Sequence, residues 1–179
     1  NKRGESALFI AVQGEQNELV KYLSSLDANI HSTNTEGETP FLSSFSKNID
    51  TFTSLMNARN IYSKDSSGES CLHIAIRNNT KKEIVQYLLE KSNLINAMNM
   101  TGDTPLHIAV GIDNEVLGSL LIEKDANIFY LNDKGFSPLT LAIELGGKRT
   151  EWFFNKKALT AKDENGNTAL HIASQKGYA

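Results

Sequence analysis

A single cysteine, Cys71, stands in the 179 residues of this chain. It cannot form an internal disulfide, so a disulfide framework is excluded and a reducing compartment such as the cytoplasm is expected. No apolar run approaches the roughly 18 residues of a membrane span. Leu8 to Val12 is typical of what is available, so membrane insertion by this segment is not expected. No signal-peptide pattern opens the chain, and no Met does either. A basic excess is also missing. The 18 Lys+Arg face 21 Asp+Glu, a formal net charge of -3. A protein that grips nucleic acid by its phosphates carries surplus positive charge, so nucleic acid is not an expected partner. Hydrophobic residues still make up 40%, enough for a core. Prolines number only three, and their placement carries information.

The chain repeats itself, and repeats decide a fold before any local pattern does. A short phrase opening Ser/Thr, small, Leu/Phe reads SALFIA at Ser6, TPFLSS at Thr39 and SCLHIA at Ser70. It continues as TPLHIA at Thr104, SPLTLA at Ser137 and TALHIA at Thr168. The spacings are 33, 31, 34, 33 and 31 residues. Two residues before each phrase stands a glycine: Gly4, Gly37, Gly68, Gly102, Gly135 and Gly166. Five residues before each stands Asn or Asp: Asn1, Asn34, Asp65, Asn99, Asn132 and Asp163. Pro40, Pro105 and Pro138 all take the second place of the phrase.

Each element has a physical reading. Asn or Asp bonds its own backbone two residues on and starts a tight turn. The Ser/Thr that follows is a natural N-cap, and Pro at the first helical position loses no needed donor. The helix then runs through small residues, Ala11, Ala75, Ala109, Ala142 and Ala173. A second helix follows within each unit: Asn17 to Leu26, Lys81 to Glu90, Asn114 to Glu123, and a clipped one around Thr150 to Phe154. Leu19, Val20 and Leu23 form the stripe of a helix buried on one side. Neither helix buries its stripe alone, so the units must stack. The expected architecture is an all-α solenoid with six first helices, five second helices and turn tips along one edge. The unit boundaries fall at about 1–33, 34–64, 65–98, 99–131, 132–162 and an incomplete 163–179.

The phrase TPLHIA from Thr104 to Ala109, on its 33-residue period, resembles the ankyrin repeat. The resemblance covers the whole chain in six in-register copies. Departures are visible. Leu42, Ser43 and Ser44 replace His, an apolar residue and Ala in repeat two, while Phe9 and Thr140 take the His place in repeats one and five. The glycine that ends the second helix in the family is replaced by Asp27, Ala58, Ser92 and Asp125. The resemblance implies a non-catalytic scaffold that binds another protein through its concave face and turn tips. The alternative is an architectural or intramolecular docking segment of a larger protein, such as an effector, channel or enzyme. The chain opens at the turn position Asn1 and stops at Ala179, just after Gly177, where a second helix should begin. A fragment of a longer array is therefore expected.

Chemistry-bearing residues are few. His73, His107 and His171 recur one repeat apart, roughly 10 Å by helix spacing, against metal–nitrogen bonds of about 2 Å. The resemblance implies buried imidazoles tying neighbouring turns instead, and His31 sits in a connector. Cys71 replaces a proline at a helix start, a place that lowers a thiol pKa, but the only His near it in sequence, His73, has its own structural role, and inertness is expected. Trp152 beside Phe153 and Phe154 suits core packing of a shortened helix, with a surface anchor for a partner as the alternative. The glycines are isolated, with no GxGxxG, and no carboxylate pair converges. No catalytic residue, metal ligand or cofactor site is assigned. The tips and first-helix positions of repeats one to three are polar, as with Glu36, Ser66, Lys47 and Asn78. The same positions of repeats four and five hold Met100, Ile112, Phe136 and Leu145, and these with Arg77 are the candidate partner-binding residues.

Overall fold

The computed structural model describes residues 2–57, 60–154, 159–160, 162–163 and 165–175. Asn1, Ala58, Glu164, Lys176, Gly177 and Ala179, and the side chains of Phe154 and Ala173, lie outside the described residues.

The turns are built by one side-chain oxygen each. Asn99 Oδ1 accepts the backbone N–H groups of Thr101 (3.0 Å) and Asp103 (2.9 Å). Asn34, Asp65, Asn132 and Asp163 do the same for the residues two and four places on. The glycine inside each turn takes a positive φ. At Gly102 glycine is required twice over. Its φ is 71°, and a Cβ there would stand 2.9 Å from the Asp133 backbone nitrogen of the next turn.

Each turn delivers an extended Ser or Thr to a helix start. Ser6, Thr39, Thr104 and Ser137 accept from the backbone N–H three residues on, and the three prolines sit at the first helical position. The six first helices are α1 (Ala7–Gln13), α3 (Pro40–Ser44), α5 (Cys71–Arg77), α7 (Pro105–Gly111), α9 (Pro138–Leu145) and α10 (Ala169–Gln175). Second helices follow as α2 (Asn17–Ser25), α4 (Ile49–Leu55), α6 (Lys82–Lys91) and α8 (Glu115–Glu123). Asp27 and Asp125 adopt the left-handed conformation (φ 58° and 69°) where the expected glycine is absent, a conformation short polar side chains tolerate. Among the described residues there is no β-strand; Lys64–Ser70 and Lys162–Thr168 form isolated bridges at turn bases.

The fifth second helix departs from expectation. Gly146 and Gly147 both take positive φ, and Gly147–Phe154 winds as a 3-10 segment instead. Its rings anchor it. Trp152 is 5% exposed and Phe153 is buried, so the tryptophan is a core residue. It lies on Gly118 of α8, where a Cβ would stand 2.5 Å from Trp152 Cε3.

Neighbouring repeats bury each other's stripes in one continuous core that runs from Leu8 to Ala169. Two imidazoles pin it. The Thr104 backbone N–H donates to His107 Nδ1 (3.0 Å), so Nε2 carries the proton and donates to the Phe136 carbonyl of the next turn (2.9 Å). His73 does the same between Ser70 (3.2 Å) and the Asp103 carbonyl (2.9 Å). His171 closes its own cap on Thr168 (3.2 Å) but stays exposed, because no further repeat packs over it among the described residues. His31 is half-buried, with Nε2 2.8 Å from Ser63 Oγ.

Two expectations follow for stability. Burial holds His73, His107 and His31 below the ordinary imidazole value of 6.5. The unfolded chain therefore takes up protons first, and stability is complete above that value and declines as pH falls below it. The thermal midpoint drops between pH of about 7 and about 5, and the double variant His73→Gln/His107→Gln flattens the slope while lowering the plateau. A midpoint unchanged over that range would contradict neutral imidazole bridges. Separately, Gly118→Ala drives a methyl into Trp152 and costs about 2 kcal/mol, with a red shift of the emission from the only tryptophan. Gly111→Ala, whose Cβ meets nothing within 4 Å, leaves both the midpoint and the emission in place or raises the midpoint slightly.

Candidate partner-binding edge

The turns form a hydrogen-bonded edge. Met100 N–H donates to Ser67 O and Asp133 N–H to Thr101 O, both at 3.1 Å. These rungs lock the turns of repeats three, four and five side by side. Side chains that the backbone ladder does not use are left to project.

Met100 is the most open candidate, at 71% exposure. Its side chain lies across Gly68 of the preceding turn, 3.0 Å from where a Cβ would be. Phe136 sits on the adjacent turn but is half-buried. Its N–H is held by Asn132 Oδ1 (3.0 Å) and its carbonyl receives His107. Ile112 caps α7 and Leu145 ends α9, and both are exposed. A seven-residue helix spans about 10 Å, so these two form a separate group at the far ends of the first helices. Arg77 ends α5. Its guanidinium grips the Glu69 carboxylate, with Nε 3.1 Å from both oxygens and a closer contact from Nη2. That pairing raises the Arg77 pKa and leaves its side chain 49% exposed.

Sequence reasoning passed over Met98, Tyr130 and Leu131. All three are exposed, Leu131 at 61%. Met98 and Leu131 immediately precede the turn-opening Asn99 and Asn132, where Thr33, Lys64 and Lys162 stand in other repeats. That contrast was the signal available. With Met100 they place four apolar side chains on two neighbouring turns that a backbone rung joins.

Repeat five has a different feature. Thr140 occupies the imidazole position, and its short side chain folds back on Ser137, 2.8 Å from the Ser137 backbone nitrogen. A cavity of about 340 Å³ opens beside it, toward Asp163, Asn165 and Ile172. In repeats three and four the histidine ring fills the equivalent level.

Comparison with known proteins agrees with this geometry. A family model described as ankyrin repeats (3 copies) matches residues 41–129 and 72–151. The chain is 36% identical over 117 residues to neurogenic locus notch homolog protein 1 of Xenopus laevis, covering 62% of the chain and 4% of that protein. It is 30% identical to NF-kappa-B inhibitor alpha of Sus scrofa, covering 62% and 39%. It is 33% identical to transient receptor potential cation channel subfamily A member 1 of Homo sapiens, covering 97% and 19%. Each of these relatives is thus far longer than the stretch matched. Among solved structures, the ankyrin repeat domain of Bcl-3 superposes with a TM-score of 0.72 over 96% of the chain and 79% of that domain, at 22% identity.

Among the described residues no group of three or more His, Cys, Asp or Glu could hold a metal ion, and no helix is long and apolar enough to cross a membrane. Cys71 is fully buried at the start of α5. Its Sγ lies 3.5 Å from the Asn60 carbonyl, and burial pushes the thiol pKa up to about 12. A thiol so protonated is not a nucleophile. In native buffer a disulfide reagent modifies Cys71 only as fast as the array unfolds, and fully once denaturant is added. Rapid modification of the native protein would overturn the inert reading.

Proposed function

The chain belongs to the ankyrin-repeat family, whose repeats are generally protein–protein interaction modules, and from that premise we propose that it is a non-catalytic scaffold that grips a partner protein by its turn edge and concave face. One observation carries the proposal. Met98, Met100, Tyr130 and Leu131 stand exposed on two turns joined by a rung, while the edge positions of repeats one to three are mostly polar. Holding apolar side chains in water forgoes burial worth about 25 cal/mol per Å², and exposed apolar clusters of this kind mark interaction sites. The ladder beneath them is rigid, so a partner pays little ordering cost on this side. Phe136 adjoins this cluster on the turn of repeat five, and Ile112, Leu145 and Arg77, at the far ends of the first helices, form a second, separate part of the proposed surface. A protein partner suits this edge better than nucleic acid, given the net charge of -3.

A second reading, a docking segment within a larger protein, is favoured by the small share of each relative that the chain spans. The two readings differ in where the partner resides, not in which surface it meets.

Substitution tests the surface. Met100→Ala and Phe136→Ala, with Leu131→Ala as a third, are measured against a protein that co-purifies with the wild-type array. Circular dichroism checks the fold. Losing a true anchor costs about 2 kcal/mol, or about 30-fold in affinity. Arg77→Ala has a smaller effect, because its guanidinium already serves Glu69. Undiminished binding in all three apolar variants, with binding lost in Glu36→Ala, would move the site to the polar end and refute the assignment.

A further inference from the structure

The junctions between repeats are unequal. Repeats one and two are stitched by directional polar bonds along their whole depth. Thr35 N–H reaches Arg3 O (2.9 Å) at the turns, Gln13 Nε2 reaches Ser43 Oγ (2.8 Å) between first helices, and Thr51 Oγ1 reaches Asn17 Oδ1 (2.8 Å) between second helices. Repeats three, four and five are stitched likewise. The two imidazole bridges and two turn rungs are joined by Asn114 Nδ2 to Asn79 Oδ1 (2.7 Å) and Arg149 Nε to Val110 O (3.0 Å).

Among the described residues the junction of repeats two and three has neither an imidazole bridge nor a turn rung. Leu42 stands where the imidazole would be. Among the described residues Ser66 N–H makes no rung to the Glu36 carbonyl, although the equivalent rung is present at the three comparable junctions. Among the described residues the polar contacts there are the long ones from Cys71 Sγ to Asn60 O (3.5 Å) and Ser63 Oγ (3.9 Å), and one from the exposed Lys64 ammonium to the Met98 carbonyl (3.2 Å). Helix α3 has only five residues. It packs on α1 and α4 but hardly approaches α5, whereas α1–α3, α5–α7 and α7–α9 are closely packed pairs. Aromatic rings fill the space instead. Phe41 meets Phe45 (4.8 Å between centroids), Phe45 meets Phe52 (5.9 Å), and Phe52 meets Tyr87 of α6 edge-on (6.0 Å).

We propose that the array bends at this seam, with repeats one and two moving as one body and repeats three to five as another. A hydrogen bond fixes both distance and direction, while apolar burial is non-directional and tolerates rotation of one packed face over another. With the other junctions among repeats one to five stitched, motion concentrates where ring contacts dominate, as in a shear hinge. The inference needs no partner and stands independently of the binding surface.

Pulsed electron spin resonance on the intact chain reads it. Nitroxides at Glu18→Cys/Lys82→Cys span repeats one and three across the seam. Nitroxides at Lys82→Cys/Glu151→Cys span repeats three and five without crossing it. All three positions are exposed, and Cys71 is buried. The expected distance distribution across the seam is at least about twofold wider than the control. Leu42→His, which offers an imidazole to the Glu69 carbonyl, narrows it toward the control. Equal widths in the two wild-type pairs overturn the proposal, and so does a folded Leu42→His variant as broad as wild type. If Leu42→His does not fold, the wild-type pair comparison decides alone.

Discussion

Asn34 Oδ1 receives the backbone N–H groups of Glu36 and Glu38, and the same fork recurs at Asp65, Asn99, Asn132 and Asp163. Much else in the array follows from that fork. It closes a turn that only a positive-φ glycine completes, and it hands the chain, extended, to a Ser or Thr cap. It also aims the carbonyl at the turn's end toward the preceding repeat, where His73 or His107 finds it. Shifting one fork by a residue would unseat the cap, the helix and the bridge together. The turns therefore set the register in which each repeat meets the next.

Register alone does not make the junctions equal. Where the preceding repeat supplies an imidazole and the turns exchange a rung, the stack is held by bonds with a length and a direction. Repeat two supplies neither. Its core is made of phenylalanines, and it is buried as fully as the rest, with Phe41 and Phe52 inaccessible to solvent. Burial and directional bonding are thus separate properties here: apolar area dominates the contact of repeat two with repeat three, while polar bonds join repeat two to repeat one and repeats three to five to each other. Thr140 shows the complementary case, a missing ring that leaves a cavity rather than a filled seam.

The same ladder explains the apolar edge. Backbone groups in the turns satisfy each other, so the side chains at the turn flanks are free of structural duty. Most of those positions are polar, as water favours. Met98, Met100 and Leu131 are not, and the fold leaves them exposed, with Met100 lying across Gly68. Arg77, by contrast, looks free in a sequence and is engaged in the structure, because its long side chain reaches back along the two turns of α5 to Glu69 at the end of the turn loop.

Periodicity carried most of the fold. The Asn/Asp, Gly and Ser/Thr–Pro positions each do a local job that residue type alone dictates, so turns, caps, first helices and the stacking of units were legible in one chain without a partner. The equivalent positions of the histidines were legible too, because they recur with the repeat, and the resemblance to the family supplied their bridging role. What recurs once was not. The winding of Gly147–Phe154 depends on Trp152 finding Gly118 some thirty residues away, and no local rule states that pairing. The half-burial of Phe136, the capture of Arg77 and the exposure of Leu131 depend on which neighbouring turn lies against each side chain. Sequence by itself determined the repeating unit and its order, because those rest on interactions within a few residues. Tertiary structure decided how firmly each unit grips the next and which side chains remain in water, because both depend on distances between repeats that no single repeat encodes.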